Sequence, residues 1–379
     1  PPIAMTTALK VTSSAFTFGG ASWGYANAML SATTFTTDFV ITLVISGDPS
    51  SIGADVTSSP PATLYWFGDT SSSQGGYNIV ARYTPVQEVT VVTTWNGVAS
   101  GGNTSCVRRL DGTLWCWGAN AQGQVGNGNA VAQTIPGRVG LGTNWSRVAV
   151  GAQHACGVQS NGNLWCWGGN TSGQLGIGSV VTPQTSPVRV GTGSLWTTIA
   201  AGGSHTCALR QNGSLWCWGN NTSGQVGIGN TTSPQTSEVA VSNSTWKTLA
   251  TGSLHTCAVR NDGTLWCWGD RGSAQLGDGT GAVRTLPTQV GVAVTWSTVA
   301  NTLAAGSLHT CATRTNGTLW CWGNNASGQI GIGSVVTPQN GPVQVGVATN
   351  WNGVAAGGNE TCATRTDGTL WCWGENLRG

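Results

Sequence analysis

Twelve cysteines and four histidines are the residues of this chain best suited to chemistry, and their spacing is regular. The cysteines form six pairs whose members stand ten positions apart. The pairs are Cys106 with Cys116, Cys156 with Cys166, Cys207 with Cys217, Cys257 with Cys267, Cys311 with Cys321, and Cys362 with Cys372. In four of these pairs a histidine stands two residues before the first cysteine: His154, His205, His255 and His309. The cysteines could form structural disulfides, bind metal ions or remain free thiols.

The spacing of the cysteines favours disulfides. A structural zinc site usually draws on two separate ligand pairs of the CxxC type, and a ten-residue separation departs from that pattern. A disulfide requires Cα atoms within about 7 Å, a distance that directly opposed strand residues meet. Zinc sites and free buried thiols are the alternatives. Six disulfides would indicate an oxidising compartment.

A hairpin must place each pair of cysteines face to face. Midway between Cys207 and Cys217 stands Asn212, followed by Gly213, and an Asn or Asp followed by Gly recurs in all six pairs. This pattern predicts a three-residue loop over residues 211–213 with Gly in the left-handed conformation. Strand alternation then puts the cysteines on one face of the hairpin and Trp216 and Trp218 on the other. Because both faces are apolar, we expect each hairpin to be covered on both sides, as in the stacked blades of a β-propeller.

The hairpin is part of a repeat of about 50 residues in which the string Leu-Trp-Cys-Trp-Gly occurs six times. Residues 202–229 fit the motif GxxHTCAxxxxGxLWxWGxNxxGQxGxG, and a Pro-Val step such as Pro187-Val188 closes a repeat. These residues resemble the RCC1 repeat family, including secreted members similar to β-lactamase-inhibitor protein II. The resemblance covers roughly residues 85–379 and implies a propeller of four-stranded blades, usually seven.

Three features depart from the family pattern. Six hairpins are visible, Thr104 and Glu360 stand where the other repeats carry His, and the last repeat stops soon after Gly374. A further segment, residues 84–87 (Thr-Pro-Val-Gln), looks like the tail of a repeat. Either it completes the sixth blade, or the native chain continues past Gly379 into a seventh. We expect six or seven blades and favour the continuing chain.

Residues 1–84 form a separate segment without cysteine and without the repeat. Alternating apolar residues predict strands in four stretches: residues 9–18, 35–46, 64–67 and 77–83. We therefore predict an all-β chain with a small N-terminal β-rich domain over 1–84 and the propeller over 85–379. The N-terminal domain is predicted to be a β-sandwich or a partial jelly roll, since its beginning faintly resembles concanavalin-like or laminin-G-like folds.

We expect neither the histidines nor the Asn-x-Ser/Thr sequons to form an active site. We expect the four histidines to hydrogen-bond the backbone of their Gly-rich corners. A metal-binding or catalytic role is disfavoured, because equivalent positions on different blades point around a ring and do not converge on one site. No metal and no cofactor is expected. Glycosylation is expected at sequons if the chain passes through a eukaryotic secretory pathway. The candidates are Asn103, Asn144, Asn170, Asn221, Asn230, Asn243, Asn325 and Asn359.

Composition excludes several classes of function. Only 7% of the residues are charged, and the net charge is +2, which disfavours a nucleic-acid surface. The longest apolar stretch, residues 39–45, is too short to span a bilayer. No HExxH or P-loop motif is present, and we expect no enzymatic activity.

We therefore predict an extracellular, non-enzymatic structural or interaction protein of a cell-surface coat, appendage or filament. Its expected partners are other proteins, including copies of itself, and glycans. Four loops that vary in length are the candidate partner-facing surface: residues 127–136, 177–187, 228–239 and 278–287. The alternatives are a secreted inhibitor and a carbohydrate-binding adhesin that uses Trp23 and Trp66. A virion fibre or a guanine-nucleotide exchange factor fits less well.

Overall fold

The computed structural model describes residues 95–193, 195–279, 282–291 and 295–376, and the backbone of short strands between residues 9 and 82. The chain divides into two compact units, Pro1–Val91 and Val92–Gly379. All regular elements of the described residues are β-strands. Among these residues, no helix has the length and apolar character needed to cross a membrane.

The larger unit consists of six antiparallel sheets, which we call blades 1 to 6 in chain order. In each blade the strands follow one another as the inner, second, third and outer strand. Blade 1 comprises Trp95–Gly101, Thr104–Arg109, Leu114–Gly118 and Gln133–Arg138. Blade 2 comprises Trp145–Val150, His154–Gln159, Leu164–Gly168 and Gln184–Arg189. Blade 3 comprises Trp196–Ala201, His205–Arg210, Leu215–Gly219 and Gln235–Ala240. Blade 4 comprises Trp246–Thr251, His255–Arg260, Leu265–Gly269 and Arg284–Gln289. Blade 5 comprises Leu303–Ala305, His309–Thr313, Leu319–Gly323 and Gln339–Gln344. Blade 6 has three described strands, Trp351–Ala356, Glu360–Arg365 and Leu370–Gly374.

The central hairpin of every blade has the predicted register. In blade 3, Cys207 pairs with Cys217 and Leu209 with Leu215. The turn glycine Gly213 has φ of 79°, a left-handed conformation that glycine adopts without a steric penalty. The predicted hairpin is confirmed, and the chain is the predicted all-β propeller, with six blades among the described residues.

Each interface between neighbouring blades joins two different apolar faces. The disulfide face of one blade, with its cysteines and leucines, packs against the tryptophan face of the next. Between blades 2 and 3, for example, Cys166 and Leu175 are packed in one cluster with Trp196 and Trp218, and all four are nearly inaccessible to solvent. This arrangement repeats at five interfaces and buries both faces of the hairpins.

The inner strands of all six blades line one central channel with small side chains such as Ala149, Ala200 and Ala250. The chain enters each blade at one rim of the ring and crosses to the other. We call one rim the hairpin rim, because it carries the turns between second and third strands and the connections between blades. The other is the corner rim, with the Gly-rich corners after the inner strands and the long loops before the outer strands.

The two ends of the blade array are open among the described residues. Trp95 of blade 1 is 47% exposed, whereas the equivalent Trp196 is 2% exposed. Leu370 of blade 6 is 68% exposed, whereas the equivalent Leu215 is fully buried. The segment 84–87, predicted as a closing strand, lies outside the described residues.

The smaller unit contains paired strands, described here by backbone alone. Leu9–Lys10 pairs with Met29–Leu30, Thr17–Phe18 with Ala21–Ser22, and Thr63–Phe67 with Asn78–Arg82. The strand predicted over residues 35–46 and the boundary predicted at residues 84 and 85 lie outside the described residues. The β-sandwich or jelly roll stays a prediction.

Candidate interaction surface

All six predicted cysteine pairs are disulfides, and the described residues contain no free cysteine. The Cα atoms of Cys207 and Cys217 are 4.1 Å apart, as expected for directly opposed residues of neighbouring strands. Ten of the twelve cysteines are buried, whereas Cys362 and Cys372 at the open end of blade 6 are partly or largely exposed. The pairing indicates an oxidising setting.

The histidines contact the neighbouring blade, which corrects the prediction that they bind their own Gly corner. The ring of His205 lies against Gly202, where an added Cβ would meet His205 Cε1 at 2.5 Å. Its Nε2 is 2.9 Å from the hydroxyl of Thr256 in the next blade. That hydroxyl donates to the carbonyl of Gln225, so His205 Nε2 must be the donor of the pair. His154, His255 and His309 make the same contact to Thr206, Thr310 and Thr361.

Burial keeps all four histidines neutral. Desolvation lowers the pKa of His154 and of His309 to about 4. Desolvation, together with neighbouring histidines, lowers the pKa of His205 and of His255 to about 3. Their Nδ1 atoms are buried and have no hydrogen-bond partner among the described residues. A buried neutral imidazole that already donates across an interface has a structural role and is inaccessible to a substrate.

One interface lacks this contact, and both partners change there together. Blade 1 has Thr104 at the histidine position, and its hydroxyl donates to the carbonyl of Ala119. Blade 2 has Ala155 where the following blades carry the accepting Thr. Where the donating His is absent, the accepting Thr is absent too. This joint change supports the assignment of His and Thr as one interblade unit.

An arginine between two tryptophans is a repeated feature that we did not predict. In blade 4 the guanidinium carbon of Arg260 lies 5.0 Å from the ring centroid of Trp246 and 3.7 Å from that of Trp266. The equivalent arginines of blades 1, 3, 5 and 6 are stacked in the same way: Arg109, Arg210, Arg314 and Arg365. The sequence signal was an Arg three residues after the first Cys of five pairs. Stacking holds these cations in place at the hairpin rim.

Blade 2 replaces this arginine by Gln159. The indole Nε1 of Trp165 donates to Gln159 Oε1 at 3.0 Å. In the other blades the equivalent indole donates to a Ser or Thr hydroxyl of the turn, as Trp266 does to Thr264 at 2.8 Å. Asn163 occupies that hydroxyl position in blade 2. Blade 2 therefore has no stacked arginine. Its two arginines at the hairpin rim, Arg147 and Arg189, are exposed.

Buried asparagines fix the long loops of the corner rim. Asn325 is fully buried, and its amide donates to the carbonyls of Ser334 at 2.7 Å and Val336 at 3.2 Å. Its Oδ1 accepts from the backbone N–H of Ile330 at 3.1 Å. Asn120, Asn170 and Asn221 hold the loops of blades 1, 2 and 3 in the same manner. Blade 4 has Arg271 at this position, 3.6 Å from Asp278.

These contacts correct three of the predicted glycosylation sites. Asn170, Asn221 and Asn325 have no accessible surface, and their amide nitrogens already bind backbone carbonyls. A glycan on that nitrogen does not fit the folded blade. Asn103, Asn230 and Asn243 are exposed, and Asn144 and Asn359 are half-buried, so glycosylation at these five stays a prediction.

The same loops present aliphatic side chains to solvent. The Asn amides bind the carbonyls of Val131, Val181 and Val336, whose side chains are 67%, 62% and 66% exposed. Their neighbours Val180 and Val335 are also exposed, as is Val283 in blade 4. Blade 3 has Thr232 at this position. Single exposed aliphatic residues are ordinary, but a set that recurs in the corner-rim loops of four blades is typical of an interaction surface. We call this set of six valines the corner-rim valines.

The residues of the other predicted sites do not converge. Among the described residues, no group of His, Cys, Asp and Glu is arranged to hold a metal ion. The hairpin-turn acids are engaged locally: the Thr113 hydroxyl and backbone N–H bind Asp111 and lower the pKa of its carboxyl group. Of the two tryptophans predicted for carbohydrate binding, Trp23 lies outside the described residues, and only the backbone of Trp66 is described.

Known structures share this architecture. Yeast RCC1 (Prp20), solved with Kap60, is 22% identical and has a TM-score of 0.64, over 74% of this chain and 70% of that one. Human WBSCR16 is 19% identical with a TM-score of 0.66, over 82% of this chain and 83% of that one. A structure of Prp20p from Saccharomyces cerevisiae, described with its binding to Gsp1p and histones, is 21% identical with a TM-score of 0.58 and covers 69% and 66%. At these identities the likeness concerns the fold.

Family membership follows from the whole repeat array. The family model of the RCC1-like domain matches residues 63–379, which include all six hairpins and extend into the smaller unit. The chain therefore belongs to the RCC1-like domain family.

Proposed function

We propose that this protein is a non-enzymatic, extracellular interaction scaffold that binds other proteins through the corner rim of its propeller. The observation that carries the proposal is the set of corner-rim valines. Buried asparagines hold three of them, Val131, Val181 and Val336, at equivalent positions of blades 1, 2 and 5. Rigid loops lose little conformational entropy when a partner binds, and exposed aliphatic groups gain free energy when a partner covers them.

Three further features support this proposal. The four histidines are buried and neutral, so they serve the packing of the blades and are inaccessible to a substrate. The six hairpin disulfides suit an oxidising, extracellular environment. Structural neighbours of the same fold are described with protein partners, namely Kap60, Gsp1p and histones.

Within this class we favour a structural component of a cell-surface coat, appendage or filament. Low charge and six covalent crosslinks suit a durable extracellular part. An assembly of this kind needs a surface that every copy presents and that associates non-covalently. The corner rim provides such a surface.

The test separates the extracellular material of producing cells by size. We expect the wild-type chain in a high-molecular-weight fraction and the double variant Val181→Ser/Val336→Ser in the fraction of free chains. The matched control is Ile135→Ser, which changes a 72% exposed aliphatic residue on an outer strand, away from both rims. Wild-type protein found only as free chains, or a double variant that behaves like the control, would contradict the proposal.

A further inference from the structure

The charged residues of the blades are distributed unequally between the two rims. Among the described residues, the hairpin rim carries ten basic and four acidic side chains in its turns and the nearest halves of its strands. The basic ones are Arg108, Arg109, Arg138, Arg147, Arg189, Arg210, Lys247, Arg260, Arg314 and Arg365. The acidic ones are Asp111, Glu238, Asp262 and Asp367. The hairpin rim therefore has a clear excess of positive charge.

The corner rim has the opposite balance. Its described residues include two basic and four acidic side chains: Arg271, Arg284, Asp270, Asp278, Glu360 and Glu375. Both arginines lie close to Asp278, at 3.6 Å and 2.7 Å. The acids that face solvent most openly are Glu360 and Glu375 of blade 6, which both hydrogen-bond Asn359.

The excess on each rim is localised. Blades 1 and 2 hold half of the hairpin-rim cations, and Asp111 is their single described acid at that rim. Arg147 and Arg189 are exposed there. On the corner rim, the acidic pair of blade 6 has no described basic residue in its own blade at that rim. The ring thus presents a basic sector on one rim and an acidic sector on the other.

Both rims also expose aliphatic side chains. The corner rim has the corner-rim valines, which are between 46% and 67% exposed. The hairpin rim and its connections expose Leu110, Leu141, Leu195, Val299 and Val347, between 55% and 93%. Contact between a corner rim and a hairpin rim would cover apolar surface on both sides and bring opposite charges together.

We propose that copies of this chain stack head to tail, with the hairpin rim of one propeller on the corner rim of the next. The partner is a second copy because the two rims of one molecule are complementary in charge. Two hairpin rims facing each other would oppose like charges, which disfavours a symmetric dimer through that rim. A head-to-tail contact uses two different surfaces, so each copy leaves one rim free and the stack grows as a filament. This inference deepens the proposed scaffold function and rests on it.

The basic sector of blades 1 and 2 is expected to meet the acidic pair of the next copy. Arg147 and Arg189 of one molecule are the natural partners for Glu360 and Glu375 of another. Since these groups are exposed to solvent, salt should weaken the contact. We expect the apparent dissociation constant of the stack to rise about tenfold or more between 0.05 M and 0.5 M salt.

Charge reversal provides the test, with purified full-length chain followed by sedimentation velocity and electron microscopy at low salt. The hairpin variant Arg147→Glu/Arg189→Glu and the corner variant Glu360→Lys/Glu375→Lys should each remain single molecules. The variant that combines all four changes should assemble again, because the complementarity is restored with reversed sign. Circular dichroism and the six intact disulfides confirm that each variant is folded.

Two results would overturn the proposal. Wild-type protein that stays a single molecule at high concentration and low salt would exclude stacking, while the size fractionation above can still show the chain bound to other extracellular proteins. Single reversals that assemble like the wild type, or a combined variant that stays dispersed when the wild type assembles, would show that these rims do not meet.

Discussion

Protonation of the interblade histidines should control the acid stability of the propeller. The native pKa values are about 4 for His154 and about 3 for His205, below the value of 6.5 for a free histidine. Between pH 4 and 6.5 the unfolded chain therefore binds more protons than the native one, so stability falls as the pH is lowered through this window. Each such histidine contributes a slope of about 1.4 kcal/mol per pH unit, and four give about 5 kcal/mol per pH unit near pH 5.

The perturbation is His205→Gln, which removes one titrating group and keeps an amide donor for Thr256. The assay is calorimetric unfolding at pH 5.5 in buffers of different ionisation enthalpy, which counts the protons taken up on unfolding. We expect between three and four protons for the wild type and about one fewer for the variant. The same change in His154, His255 or His309 should have the same effect. Equal proton uptake in the wild type and the variant, or native histidines that titrate near pH 6 by NMR, would refute the reasoning.

Other changes test the remaining structural assignments. Mild reduction followed by alkylation and mass spectrometry should label Cys362 and Cys372 first, because the other ten cysteines are buried; uniform labelling would contradict the exposed end of blade 6. Asn325→Ala should cost about 2–4 kcal/mol of unfolding free energy, since it leaves buried backbone groups unpaired, and should speed amide exchange in residues 330–336; the exposed Asn230→Ala is the control, and equal effects would refute the anchoring role. Arg260→Gln should cost about 1 kcal/mol through loss of stacking between Trp246 and Trp266, measured by denaturant unfolding, and a neutral result would show that the stack is not stabilising. Chain produced in a eukaryotic secretory system should carry no glycan on Asn170, Asn221 or Asn325 when folded, and glycopeptides at these positions would contradict their burial.

The blades were predictable because their signals are local and repeated. The turn Asn212-Gly213 sets the register of its hairpin, and that register alone brings Cys207 opposite Cys217. Alternation then assigns the two apolar faces without knowledge of the neighbouring blade. The packing of a disulfide face on a tryptophan face follows once two such hairpins are placed side by side.

The contacts of the polar residues were harder to predict because their partners lie one blade away. His205 reaches Thr256, some 50 residues further along the chain, so the local Gly corner was the wrong partner. The sequence did contain one signal for the His–Thr contact: His is replaced by Thr104 in blade 1, and Thr is replaced by Ala155 in blade 2. This signal can be recognised only when neighbouring repeats are compared with each other. The stacking of Arg260 on Trp246 was missed for a different reason: both residues belong to blade 4, but they lie at opposite ends of a two-strand unit in the sequence.

The buried asparagines show how a sequence motif can mislead. The sequon at Asn325 fits a glycosylation site by pattern, but the same Asn is required to close its loop onto Val336. Sequon spacing carries no information on burial, whereas the Asn position within the repeat does. Its recurrence in blades 1, 2, 3 and 5, with Arg271 in blade 4, identifies a structural anchor.

The central claim is that the function of this protein lies in the surface of its rims, above all in the corner-rim valines. Hydroxyl-radical footprinting of the protein in its native extracellular assembly, compared with the dissociated chain, tests this most directly. The account predicts strong protection of Val180, Val181, Val335 and Val336 in the assembly, with Ile135 on the outer strand unchanged. Equal modification of these valines in both states would contradict the claim.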